Sequence, residues 1–216
     1  MADDLKFVFV ATGKDSEHPR NFVGMADTHS RVETVRMRKK QEAPSSLIKI
    51  PVRVRFVHFD FKNDAIFARD EFFGNVSVSR DARTAASRWK PIGQTGDTLS
   101  SFINQGGPAR SITDIYHAVR KAPRGSLIDV SLYSHGFLEG PVVANTNDPG
   151  GEFSPSVPRR SLADHDGRVR TDFFPNMGED PNAEGQNALV EFRGGFASGA
   201  VFRIFGCNVQ ETCRGD

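Results

Sequence analysis

Apolar residues recur along this chain with two periods, one of two residues and one near 3.6, and the succession of the two predicts an α/β protein. Leu5–Ala11 is a short, β-rich apolar run closed by Thr12-Gly13, the pattern of a buried strand. The polar stretch that follows, through about Ser46, has no regular period and is expected to be loop. Alternation resumes from Ile48 to Phe61, with Val52, Val54 and Phe56 on one phase and Val57, Phe59 and Phe61 on the other. The flip between adjacent apolar residues predicts a bulge within a long strand. Ala65–Ala68 and Val76–Val78 are expected to add short antiparallel strands around Gly74.

Helical spacing comes next. Ala82, Ala85, Ala86 and Trp89 fall at i, i+3, i+4 and i+7, and Asp97 is placed to cap a short helix carrying Leu99, Phe102 and Ile103. Ile112, Ile115, Tyr116 and Val119 repeat the pattern, with Ser111 and Asp114 in a capping-box-like arrangement, and the helix should stop at Ala122-Pro123. Leu127–Tyr133 reads as a strand with Ile128, Val130 and Leu132 on one face; it halts at Ser134-His135-Gly136. Ala200–Phe205 reads as another strand and halts at Gly206-Cys207. Ahead of it Leu189, Phe192 and Phe196 share a helical face that Gly194-Gly195 interrupts. The order helix, strand, insert, helix, strand implies parallel strands joined by a crossover. The insert, residues 145–185, is rich in Gly, Pro, Asn and Asp and too long to be an idle loop, so it is expected to border a site. No repeat or linker divides the chain, so residues 1–216 are expected to form a single domain.

Composition narrows the picture. The 216 residues, 38% hydrophobic and 25% charged, are enough for a core that needs no metal or disulfide. Phenylalanine stands out, at 18 against 2 Tyr and 1 Trp, which predicts an aromatic-rich core. With 28 basic and 27 acidic residues there is no electrostatic reason to expect nucleic acid or an anionic membrane as partner. The basic run Arg36, Arg38, Lys39 and Lys40 reads as a solvated loop or strand edge. No apolar stretch approaches the ~20 residues that span a bilayer, and the acidic start Met1-Ala2-Asp3-Asp4 is unlike a secretory signal. Two cysteines, Cys207 and Cys213, form no disulfide framework. A reducing cytoplasm is therefore the default compartment, with signal-independent export left open.

The chemistry sits at two strand ends. In a parallel α/β sheet, reactive groups gather just past the carboxyl ends of the strands. His135 follows Tyr133 by two residues, and Cys207 follows Phe205 by two. Neighbouring strands would bring both to one rim, where an imidazole can take the thiol proton and return it to a leaving amine. The N–H groups of Gly136 and Cys207 are candidate oxyanion donors, and Gly206 permits a tight turn. A small buried cysteine and a hydrogen-bonded loop histidine are the alternative readings of these residues.

The segment SITDIYHAVRKAPRGSLIDVSLYSHGFLEG resembles the helix, apolar strand and Ser-His-Gly of the caspase-like superfamily of cysteine peptidases, which includes caspases, metacaspases, legumains, gingipains and separases. AVFRIFGCN resembles its second block, an apolar strand followed by a small residue and the nucleophilic cysteine. The resemblance covers about half the chain, chiefly Ser111–Gly140 and Phe196–Asn208. It implies helices sandwiching a mainly parallel sheet, with Leu5–Ala11 as first strand, and a dyad of His135 and Cys207 acting on a protein or peptide substrate. Two departures stand out. Gly206 precedes the cysteine and the Gln-Ala-Cys-Arg-Gly signature is absent, so a preference for Asp is not implied. Nine residues follow Cys207 where the superfamily continues for two more strands, so the sheet is expected to be truncated, completed by a partner chain or rebuilt from N-terminal strands. The reading from a different class is a catalytically inactive caspase-like module serving as a scaffold. A third is acyl transfer or amide hydrolysis on a non-protein substrate with the same dyad.

Other constellations are weaker. Asp164, Asp166 and Asp172, with Asn145, Asn147 and Asp148, offer oxygen ligands for calcium but lack EF-hand spacing, so no cofactor is expected. His165 reads as a solvated loop residue or an orienter of His135, and His117 as structural. His18, His29 and His58 have no ligand spacing with the cysteines, so no structural zinc is expected. Cys213 reads as an incidental thiol or a resolving one. No G-x-S-x-G, P-loop or dinucleotide glycine pattern is present.

Overall fold

The computed structural model describes residues 4–13, 23–42, 52–63, 65–74, 77–92, 112–137, 140–142 and 188–206. Six strands form one mixed sheet in the order β4-β3-β2-β1-β5-β8: β1 Asp4–Thr12, β2 Val52–Asp60, β3 Ala65–Phe73, β4 Lys90–Pro91, β5 Leu127–Tyr133 and β8 Phe196–Phe205. β2, β1, β5 and β8 run parallel, while β3 and β4 are antiparallel additions beyond β2. Helix α1, Val23–Glu42, packs on one face. Helices α3, Ile112–Lys121, and α4, Ala188–Gly195, pack on the other. The short helix α2, Arg80–Ala86, lies beside β3 and begins at Ser79, whose side chain accepts from the Ala82 N–H. This is the expected α/β class, a mainly parallel sheet with helices on both faces; its antiparallel addition is β2–β3–β4 and not the hairpin expected around Gly74. The insert over 145–185, and the helix expected after Asp97, lie outside the described residues.

Strand β1 is covered on both sides, so both of its phases are apolar. Phe7, Phe9 and Ala11 join the core under α3 and α4, and Val8 and Val10 the core under α1. The expected aromatic core is present: Phe7, Phe9, Phe56, Phe59 and Phe61 are among the largest fully buried side chains. Phe9 meets Phe59 edge-on at 5.5 Å.

The bulge expected in β2 is absent. Its register is unbroken against β1, from Asp4↔Val52 to Thr12↔Asp60, and against β3, from Val52↔Phe73 to Asp60↔Ala65. The two apolar phases are simply the two covered faces: Val54 and Phe56 lie under α1, and Val57 and Phe59 under α3. Of the polar residues of β2, Arg55, His58 and Asp60 are buried and partnered. Arg55 makes a two-bond pair with Asp70 (Nε–Oδ1 2.8 Å, Nη2–Oδ2 3.1 Å), and Asp60 receives Asn63 at the β2–β3 turn. A bulge does occur, in β5. Phe7 pairs with Leu127 and Val8 with Asp129, leaving Ile128 as the extra residue. Ile128 therefore packs toward α1, while Leu127, Val130 and Leu132 face α3; the expected grouping of Ile128 with Val130 and Leu132 is corrected accordingly.

Other expectations are corrected too. The polar stretch before Ser46 contains the 20-residue helix α1 rather than loop alone. Its inward positions Ala26, His29, Ser30, Thr34 and Met37 do recur with helical spacing, but most are polar or small. Thr34 bonds back to the Ser30 carbonyl at 2.7 Å and Ser30 to the Asp27 carbonyl at 2.8 Å, which is how such a face can be buried. The run Arg36, Arg38, Lys39 and Lys40 is exposed, as expected, but on this helix. β3 is one strand through Phe73; Val78 is in no strand, and the third antiparallel strand is β4. Trp89 lies beyond α2 and packs against the α1-side core. Phe196 begins β8 instead of extending α4, because the helix ends at Gly195. Among the described residues no helix is long and apolar enough to cross a membrane.

Candidate active site

Strands β5 and β8 are parallel neighbours, and their last residues pair: Leu132↔Ile204 and Tyr133↔Phe205. The Ser134 N–H donates to the Phe205 carbonyl at 3.0 Å, carrying the ladder one residue past β5. On the other side the Gly13 N–H donates to the Tyr133 carbonyl at 2.8 Å, so three strand ends are tied at one rim. Ser134 is buried there. From this rim the chain turns into a two-stranded antiparallel sheet, β6 His135–Phe137 with β7 Gly140–Val142, in which His135 pairs with Val142 and Gly136 with Pro141.

His135 and Gly136 are therefore placed by their backbone, immediately after the end of β5. Gly206, exposed, follows Phe205 at the end of β8. Cys207 lies outside the described residues, as do Asp164, Asp166, Asp172, Asn145, Asn147, Asp148, His165, His18 and Cys213. His117 is on the exposed side of α3.

Behind the rim, on the α1 face, lies a buried polar cluster that sequence patterns did not reveal. Asp129, Ser131 and Tyr133 are alternate residues of β5 and so share a face. Asp129 accepts from the Ser131 hydroxyl at 2.6 Å and is ion-paired with Arg203 of β8. His29 of α1 bonds the Tyr133 hydroxyl through Nδ1 at 2.8 Å, and its Nε2 lies 3.5 Å from Asp129 Oδ1. Glu33, one turn along α1, approaches Arg203 at 3.7 Å. Burial and the nearby Asp129 carboxylate push the Tyr133 hydroxyl pKa up, holding it protonated. The signal was legible only as an alternation of polar residues within an otherwise apolar strand, opposite a helix whose inward face is also polar.

A second cluster closes the β1 and β2 ends. His58 Nε2 is 2.7 Å from Thr12 Oγ1, and its ring is flanked by Phe67 and Trp89. Burial lowers its pKa to about 4 against the opposing pull of Asp60, so the ring is neutral at pH 7. It is a buried, hydrogen-bonded imidazole facing the α1 side.

Comparison with family models, with curated proteins and with solved structures finds no match to this chain.

Proposed function

We propose that this protein is a caspase-like cysteine hydrolase, an endopeptidase in which Cys207 is the nucleophile and His135 the acid–base. The observation that carries this reading is the parallel pairing of Tyr133 with Phe205. Ser134 and Gly206, which follow these partners, leave neighbouring strands at the same rim, where loops of a parallel sheet diverge and substrates bind. In the reaction His135 takes the thiol proton, the thiolate adds to the scissile carbonyl, and the imidazolium protonates the departing amine; water then hydrolyses the acyl-enzyme. The N–H groups of Gly136 and Cys207 would hold the oxyanion. Pro141, opposite Gly136, has no N–H, so this pair cannot exchange the two reciprocal bonds of an antiparallel ladder. That leaves the Gly136 N–H outside any such reciprocal pair.

The test is labelling with a thiol-directed peptide probe together with turnover of a mixed fluorogenic peptide library. Cys207→Ala should abolish both, and His135→Ala should reduce both by at least ~100-fold, with the fold intact by circular dichroism. Retained turnover in Cys207→Ala would sink the assignment.

One observation favours the scaffold reading. Among the described residues β8 pairs only with β5, and Phe202 and Phe205 are 40% and 42% exposed. An open strand carrying exposed aromatics suits a partner chain that completes the sheet. Inactivity of the wild-type chain across the peptide library, together with a stable complex lost on Phe202→Lys, would support it.

A further inference from the structure

We propose that His29, Glu33 and Asp129 form a binding site for a divalent transition-metal ion of the zinc class, fastening α1 to β5 behind the candidate active rim. One donor atom from each residue lies within 4.8 Å of the other two. His29 Nε2 and Asp129 Oδ1 are 3.5 Å apart, close to the roughly 3.3 Å that two ligands at about 2.0–2.1 Å adopt around a tetrahedral ion. His29 and Glu33 sit one turn apart on α1, and Asp129 meets them from β5.

A group of acids alone would be unremarkable. What points to a ligand is the imidazole. His29 is over nine-tenths buried, its Nε2 faces Asp129, and that nitrogen has no hydrogen-bond partner. A buried polar atom in this state asks for an explanation, an ion being one. The opposite nitrogen, Nδ1, is already engaged by the Tyr133 hydroxyl at 2.8 Å, the outer bond by which metal-ligating imidazoles are oriented. Ser131 donates to Asp129 Oδ1 at 2.6 Å, fixing the carboxylate in the same way.

Glu33 and Asp129 bring two carboxylates, with Arg203 beside both and Arg36 beside Glu33. Arg203 holds Asp129 through Oδ2, leaving Oδ1 turned toward His29. The nitrogen donor selects a zinc-type ion over calcium or magnesium, which take oxygen ligands. This donor set contains no cysteine, so spacing relative to Cys207 and Cys213 carried no trace of it.

The experiment is calorimetric titration of the full chain with zinc ions alone, with X-ray absorption of the loaded protein. One equivalent should bind, in a nitrogen and oxygen shell without sulfur. His29→Gln and Glu33→Gln should each weaken binding by at least ~100-fold, and Tyr133→Phe by about 10-fold. The double variant His135→Ala, Cys207→Ala should bind as the wild type does. Should His29→Gln fail to fold, Glu33→Gln, at a less buried position, carries the test. Absence of saturable binding, a sulfur ligand, or binding lost in the double variant but kept in Glu33→Gln would overturn the proposal. Because the dyad variant separates the two sites, failure here leaves the hydrolase reading untouched.

Discussion

Tyr133 and Phe205 stack with near-parallel rings at the ends of β5 and β8, with ring centroids 4.6 Å apart and planes 7° from parallel. They are also register partners, so the stack ties the two strand ends together where His135 and Gly206 depart. Phe205→Ala removes an offset-stacked pair worth about 1 kcal/mol. Urea denaturation should show a loss of that size, and a thiol probe should label Cys207 more slowly because the strand end that precedes it in sequence is less well held. Phe205→Tyr, which keeps the ring, should leave both readouts near wild type. An alanine variant as stable as the wild type would mean that the stack is incidental.

Asp129 is the hub of the polar cluster, and its removal should be more costly than that of any of its partners. It is buried, ion-paired with Arg203 and bonded by Ser131. Asp129→Ala leaves those donors facing an apolar hole, and the loss should be about 2–3 kcal/mol. That is below the cost of splitting a fully buried pair, since the Arg203 side chain is 25% exposed and partly screened. Asp129→Asn keeps an acceptor and should lose about half as much. A double-mutant cycle with Arg203→Met should give a coupling energy of at least ~1 kcal/mol; strict additivity would deny the pair any role.

Legibility in the sequence followed burial chemistry. α3 was plain because its apolar residues carry the helical period, and β1 and β5 because each is a short β-rich apolar run closed by turn residues. α1 was hidden because its inward positions are Ala26, His29, Ser30 and Thr34, which leave no apolar stripe; Ser30 and Thr34 satisfy themselves by local bonds. The β2 phase flip looked like a bulge because period alone does not distinguish a shifted register from a strand covered on both faces. Arg55 and His58 decide it: each is polar, buried and partnered. The bulge that exists, at Ile128, falls where Leu127 and Ile128 are adjacent apolar residues, and the alternation of Ile128, Val130 and Leu132 after it concealed the shift. Of the candidate dyad, the sequence placed both residues after strand ends; that those strands are neighbours is a property of the sheet order, which no local pattern encodes.

Gly195 ends α4 where it crosses α3. A Cβ there would lie 2.5 Å from the Val119 carbonyl oxygen and 3.1 Å from a Leu127 methyl. The nearer contact is backbone, so it cannot rotate away. Gly195→Ala should cost about 1–3 kcal/mol as α4 is pushed from its neighbour. Gly194→Ala, with open space around the new methyl, should be neutral or stabilising by up to ~1 kcal/mol. Thermal denaturation of the two variants side by side makes the comparison, and equal melting temperatures would contradict the close approach.

His58 should make the fold acid-sensitive. Folded, its pKa is lowered to about 4; unfolded, the imidazole regains its ordinary value of 6.5. Between those values the unfolded chain binds more protons, so stability is fully present above pH 6.5 and falls as pH drops toward 4. The slope reaches ~1.4 kcal/mol per pH unit, and the total is on the order of 3 kcal/mol. Asp60 opposes the effect of burial, so Asp60→Asn should drive the folded pKa lower and extend the loss to more acid pH. His58→Leu should be less stable at pH 7, since Thr12 loses its partner, yet its stability should vary less across this window. Denaturant titrations at half-unit steps from pH 7.5 to 4.5 read the slope directly. If wild type and His58→Leu decline in parallel, the acid sensitivity belongs to other groups, and the packing of Trp89 and Phe67 around the ring does not exclude the proton.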